Sequence, residues 1–236
     1  MKDDKVDKLV SAALLLKDAI DNDFDTEIYP SKEDDLIRSE DKNWYLEACL
    51  GYAHNETNLY RSGYLYSART LAQFTALTAR YVDQSVYPII FLYRHHIELS
   101  LKSLIIRGCF ACNSELTSSD EKALKSHNLE ELWKAFKPYF IEIWSDTEYF
   151  GKNNFEELVD GIDSYINQLC TIDKDSFSFR YSRKKDRKTR TLKGVKHINI
   201  VGFVEKIERL VAVREGCEWH LDSLEEAADI KVDSNV

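Results

Sequence analysis

Apolar positions recur at helical spacing along most of the chain, and no segment keeps a strand's alternation for long. Val6, Leu9, Val10, Ala13, Leu14, Leu16 and Ile20 share one helical face over residues 5–20. Residues 43–62 and 64–81 read as two helices meeting at Gly63. A long helix over 88–107 follows, with Pro88 in its first turn and Gly108 as its stop. After a loop at 108–120, short helices are expected near 120–126 and 128–137, and Pro138 opens another to about 149. Asn154-Phe-Glu-Glu157 has capping-box spacing and starts a helix to about 170. SFSFRY (176–181) alternates like a short strand, and residues 200–228 form a final long helix. Helix upon helix predicts an all-α antiparallel bundle with one short extended, basic insertion at about 176–199. The expected divisions are an N-terminal helix and acidic connector (1–42), the bundle domain (43–228) and a polar tail (229–236).

Composition agrees with that picture. Of the 236 residues, 44% are apolar and 12% aromatic, enough for a real core. Eight Gly and three Pro are too few for a turn-rich sandwich or barrel. The net charge of −9 excludes a uniformly basic nucleic-acid-binding surface, so any such role needs a local patch. Residues 18–41 hold ten acids against Lys32 and Arg38 and read as a solvated connector. The N-terminus MKDDKVDKLV is too charged for a secretory signal, and no segment suits a membrane span. Five scattered Cys (49, 109, 112, 170, 217) fit a reducing cytosol, so the expected location is cytoplasmic.

One feature breaks the hydrophobic pattern. YPIIFLYRHHIELSLKSLII (87–106) is the most apolar run, yet it carries Arg94, His95, His96, Glu98 and Lys102. At ~100° per residue, Arg94, Glu98, Lys102 and His95 share a stripe about a quarter-turn wide. Apolar Leu101, Ile105, Phe91 and Ile106 flank that stripe instead of lying opposite it. Buried charges need partners, and Arg94–Glu98 and Glu98–Lys102 stand at i,i+4. A pairing network is one reading. The other is a lined pocket, in which Arg or Lys meets an anion and His moves a proton.

The blocks VYPIIFLYRHHIELSLKSLI, HNLEELW (127–133), FSFRY (177–181) and HINI (197–200) resemble a widespread group of bacterial proteins. That group shares FLYRHxxELxLKxLI, HxLxxLW, FRYP and HINL, and the match spans about residues 43–215. More distantly the group is similar to the HEPN superfamily. The resemblance implies a HEPN-like helical bundle, often dimeric. It implies metal-independent endoribonuclease activity in phage defence or toxin–antitoxin systems, with His handling the 2′-hydroxyl proton and Arg the phosphate. This chain departs from the HEPN signature of Arg, four to six residues, then His. Arg94 is followed at once by His95 and His96, and only Arg190-TLKGVK-His197 has the spacing. FRYP is FRYS in this chain, with Ser182 in place of Pro.

SRKKDRKTRTLKGVK (182–196) sets eight basic residues against Asp186. Arg180, Arg183, Lys184, Lys185, Arg187, Lys188, Arg190 and His197 are candidate nucleic-acid contacts, with Lys102 adding anion affinity. Phe177, Phe179 and Tyr181 beside them offer stacking surfaces. The bland reading is a solvated loop, or one folded against the acidic segment. Cys109-Phe-Ala-Cys112 lacks the second pair that a zinc site needs, so no metal or cofactor is expected. His127 precedes the apolar pattern Leu129, Leu132, Trp133, Phe136 and either enters a helix or meets the Arg94 stripe. His54 and His220 read as surface residues.

The expectation is an RNA-directed effector. Arg94 binds phosphate, His95 or His127 acts as acid or base, and Glu98 orients them. The alternative is a non-catalytic module for nucleotide, nucleic acid or protein, built around a buried ionic network. Expected partners are RNA, a second copy of the chain, and an antitoxin or other defence protein.

Overall fold

A computed structural model describes residues 56–145 and 154–233, with side chains to 227, and four isolated positions (Lys32, Ile37, Ala48, Leu50). The chain divides into two units, 1–54 and 55–236, and the second is described below. The expected helix over 5–20, the acidic connector and His54 lie outside the described residues.

The second unit is all-α. Its helices are α1 (Glu56–Thr78), α2 (Val82–Ala111), α3 (Ser118–Leu124), α4 (Leu129–Trp144), α5 (Phe155–Ile172) and α6 (Ile200–Asp233). No strand occurs among the described residues, only an isolated antiparallel bridge between Arg183 and Arg190. None of these helices is long and apolar enough to cross a membrane.

α2 is the axis of the bundle and packs on α1, α4 and α6. That explains its run of apolar residues. A helix covered on several sides has no solvent face to keep polar, and fourteen of its residues are buried. α4 carries the complementary surface. Trp133, Phe136, Phe140 and Trp144 form an aromatic column with successive ring centroids 5.9, 5.8 and 5.2 Å apart. Phe155 at the start of α5 stacks on Phe140 at 5.3 Å.

Several element boundaries differ from those expected, each for a local reason. α1 runs through Gly63, where a Cβ would meet nothing within 4 Å, so the glycine marks no boundary. Ala79 and Tyr81, both at positive φ, make the turn instead, and the Ser85 N–H donates to the Tyr81 carbonyl to start α2. Pro88 is therefore inside α2, and Pro138 is likewise inside α4, which is one helix where two were expected. Asn154 caps α5 without a side-chain hydrogen bond, so the capping box does not form. A genuine capping box joins Thr117 and Asp120 at α3. Residues 176–181 are turn, not strand. α6 extends past 228 into the expected tail.

Gly108 does not stop α2. It lets α2 and α4 approach, since a Cβ there would lie 3.0 Å from Tyr139 Cβ and 3.3 Å from Phe136. Mid-helix Gly→Ala ordinarily stabilises by about 0.5–1 kcal/mol. At this position the clash falls on a Cβ that cannot swing aside. Gly108→Ala is expected to destabilise by about 1–3 kcal/mol, seen as a lower denaturant midpoint. An unchanged or raised midpoint would show that α4 yields at this contact.

Candidate functional site

The stripe on α2 closes around Glu98, whose side chain is only 1% exposed. Oε1 accepts a hydrogen bond from Lys102 Nζ at 3.0 Å and lies 2.8 Å from His127 Nδ1. Oε2 accepts from Arg94 Nη1 at 3.4 Å, and His95 Nδ1 stands 3.8 Å away, at ion-pair range. Burial pushes the Glu98 carboxyl up, but His95, Lys102 and His127 outweigh it and hold the group down at about 2. An ionised carboxylate only accepts, so His127 Nδ1 carries the hydrogen of that contact. The His127 side chain is 63% exposed, and those of His95 and Lys102 are 22% exposed. Two imidazoles and an ammonium therefore reach solvent around one buried anion.

Arg94 stands behind this group, 1% exposed. Three of its four hydrogen bonds go to backbone carbonyls: Nε to Asp173 (3.1 Å), and Nη2 to His127 (2.7 Å) and Lys174 (3.1 Å). Asp173 and Lys174 follow the last turn of α5, and His127 precedes α4. The guanidinium thus meets carbonyls that the α5 C-terminus leaves over, where a cation also suits the helix dipole. Burial draws Arg94 below its ordinary value, and the Asp173 and Glu98 carboxylates counter that. Arg94 ties three chain segments together and presents no open donor face to solvent.

Asp173 was not singled out by sequence. It is buried, with Oδ2 3.7 Å from Arg94 Nε. Oδ1 accepts the N–H groups of Phe177 (2.7 Å) and Ser178 (2.8 Å), which fixes the turn where a strand was expected. The acid followed four residues later by the first aromatic of FSFRY was the available signal.

The basic arm is a tight loop organised by its single acid. Asp186 accepts from the N–H groups of Lys188 and Thr189 and from the Thr189 hydroxyl. Thr191 donates to the Tyr181 carbonyl at 2.7 Å and ties the arm to the aromatic turn. Arg183, Lys184, Lys185, Arg187, Lys188 and Arg190 are exposed and form no ion pair among the described residues. Some arginines elsewhere in the unit are paired: Arg61 with Glu218, Arg69 with Glu208, Arg107 with Asp222 and Glu225. Arg183, Arg190 and His197 line a cleft of about 830 Å³ beside the N-terminal end of α2. Arg180, also on that cleft, lies 5.5 Å over the Phe91 ring.

His96 turns away from the Glu98 group. Its Nδ1 lies 2.9 Å from the Arg61 carbonyl, and burial depresses it to about 4. His220 is half-buried, with its ring 5.7 Å from Trp144. Cys109 and Cys112 are free thiols. No cluster of three or more metal-ligating side chains occurs among the described residues.

Glu98 also makes the site sensitive to acid. Its carboxyl is lowered on folding, so its contribution is complete above its ordinary value near 4.5 and is lost as pH falls through about 2. The fall corresponds to about 3 kcal/mol. Urea unfolding between neutral pH and about pH 3 should show the native protein losing stability faster than Glu98→Gln. Parallel curves would mean that Glu98 is not held as an anion.

Comparison with protein families, with curated proteins and with solved structures finds no match for this chain, so the reading of its site rests on its own geometry.

Proposed function

We propose that this protein is a HEPN-like, RNA-directed effector that cleaves RNA without requiring a metal, using the His95–Glu98–His127–Lys102 group. The observation that carries the reading is two solvent-facing imidazoles converging on opposite oxygens of one buried carboxylate, with an ammonium beside them. RNA supplies its own nucleophile. One imidazole takes the proton of a 2′-hydroxyl, the 2′-oxygen bonds to phosphorus, and the P–O5′ bond breaks. The other imidazole protonates the departing 5′-oxygen, leaving a 2′,3′-cyclic phosphate and a 5′-hydroxyl. Lys102 offsets charge building on the phosphate, and Glu98 holds both rings in place. Arg94, expected from sequence at the phosphate, becomes a positioning residue whose hydrogen bonds are spent on the scaffold.

A second reading has one observation in its favour. The Arg94–Glu98–Asp173 group pairs internally, as a purely structural ion network in a binding module would. The test is incubation of the protein with mixed RNA in EDTA, scoring 2′,3′-cyclic phosphate ends, beside a His127→Asn protein. Cleavage that survives chelation and needs His127 supports the nuclease. Intact RNA supports the binding module.

A further inference from the structure

The face of α2 that carries the candidate catalytic group continues toward the helix N-terminus as an aromatic strip. Tyr87, Phe91 and His95 follow one another at i, i+4 and i+8. The His95 ring stacks on Phe91, with centroids 5.7 Å apart and planes 9° from parallel. Tyr64 of α1 closes edge-on against His95 at 4.4 Å. Arg180 then lies over Phe91 at 5.5 Å and over Tyr181 at 5.7 Å, and Tyr181 stacks on Phe177 at 4.5 Å. Rings and a guanidinium thus form an unbroken series from the Glu98 group to the cleft below the basic arm.

That cleft has the two features that an unpaired strand requires. Its walls include Tyr87 (46% exposed) and Tyr181 (52% exposed), partly exposed rings for a stacking base, with Tyr181 backed by Phe177. Arg183, Arg190 and Lys196 also line it and have no ion-pair partner among the described residues. A paired duplex buries its base faces and has no use for exposed tyrosines. A volume of about 830 Å³ suits splayed nucleotides.

We infer that this cleft and the strip along α2 form a binding track for single-stranded nucleic acid, with bases on Tyr181 and Tyr87 and phosphates on Arg183, Arg190 and Lys196. The inference rests on the cleavage reading only for where the strand is cut. From Tyr87 to Lys102 the helix rises roughly 22 Å, the length of about six stacked nucleotides at ~3.4 Å each. Stacking and phosphate contacts do not read the 2′-hydroxyl. The track therefore accepts RNA and DNA strands alike, and sugar selectivity is left to the chemistry at His95 and His127.

The test is fluorescence anisotropy on the full chain with three probes of one sequence: single-stranded DNA, 2′-O-methyl RNA that cannot be cut, and the DNA duplex. Both single strands are expected to bind within a few-fold of each other and at least tenfold tighter than the duplex. Tyr87→Ala and Tyr181→Ala each weaken single-strand binding roughly tenfold to a hundredfold and leave duplex binding unchanged. Equal affinity for duplex and strand, untouched by the tyrosine variants, would overturn the track in favour of a general phosphate surface. Failure of all three probes to bind would overturn it in favour of an acidic protein partner. Single-strand binding that needs both tyrosines, in a protein that cuts no RNA, keeps the track and removes the cleavage reading. RNA cleavage whose KM ignores both tyrosines does the reverse.

Discussion

His127→Asn is expected to lower RNA cleavage by about 10²–10⁴-fold while changing stability by no more than about 1 kcal/mol. The asymmetry follows from where the side chain sits. His127 is 63% exposed, so it adds little to the core. Lys102 still covers Glu98 Oε1 after the change, and the His127 carbonyl that Arg94 uses belongs to the backbone and survives. What is lost is a largely exposed imidazole held by a buried anion. Asparagine keeps an amide donor and cannot carry a proton between oxygens. Single-turnover cleavage in EDTA, beside a thermal melt, measures both quantities. The native pH–rate profile should be bell-shaped, and the variant should lose one limb, a change that a merely structural role would not produce. Lys102→Ala should cost about 10²–10³-fold by removing charge at the phosphate, and Lys102→Arg should restore part of it. A protein that cuts RNA equally well with Asn at 127 would remove the acid–base assignment.

The sequence alone made the helical character and the central stripe legible because both depend on short-range spacing. Glu98 meets Arg94 and Lys102 one turn away on the same helix, and a wheel finds such pairs. Prolines misled for the opposite reason. Pro88 and Pro138 look like starts, since proline suits a first turn. Yet α2 begins at Val82 after the Tyr81 turn, and the Trp133–Trp144 column keeps α4 continuous across Pro138. Tertiary burial overrides the loss of one backbone hydrogen bond in each. The 176–181 strand failed because alternation says nothing about a carboxylate from outside the segment. Asp173 takes the two N–H groups that a ladder would have used.

What each side chain of the stripe meets was less legible than which residues share it. A wheel shows that Arg94 faces the interior and not what waits there. The waiting groups are carbonyls from residues 127, 173 and 174, distant in sequence and invisible to side-chain pattern. Sequence types made Arg94 the phosphate ligand because arginine matches phosphate. In the proposed mechanism Lys102 takes that place, a residue first expected only to add affinity; it is partly exposed and bonded to the carboxylate that His127 also meets.

Arg94→Ala is accordingly expected to destabilise the protein by about 3–5 kcal/mol, which lowers Tm by roughly 10 °C for a unit of this size. Three contributions add. The Asp173, Lys174 and His127 carbonyls lose a shared donor, the first of them in a buried bond. The Asp173 carboxylate loses the cation 3.7 Å away and stays buried. The α5 C-terminus, the α4 entry and α2 lose the group that joins them. Arg94→Lys should recover little, because one ammonium cannot span three carbonyls as the planar guanidinium does. Cleavage should fall in both variants in step with the folded fraction and recover on cooling to where they fold. This order of effects separates a positioning arginine from a catalytic one. An Arg94→Ala protein that melts like the native one yet cuts no RNA would put the guanidinium back at the phosphate and exchange the roles of Arg94 and Lys102.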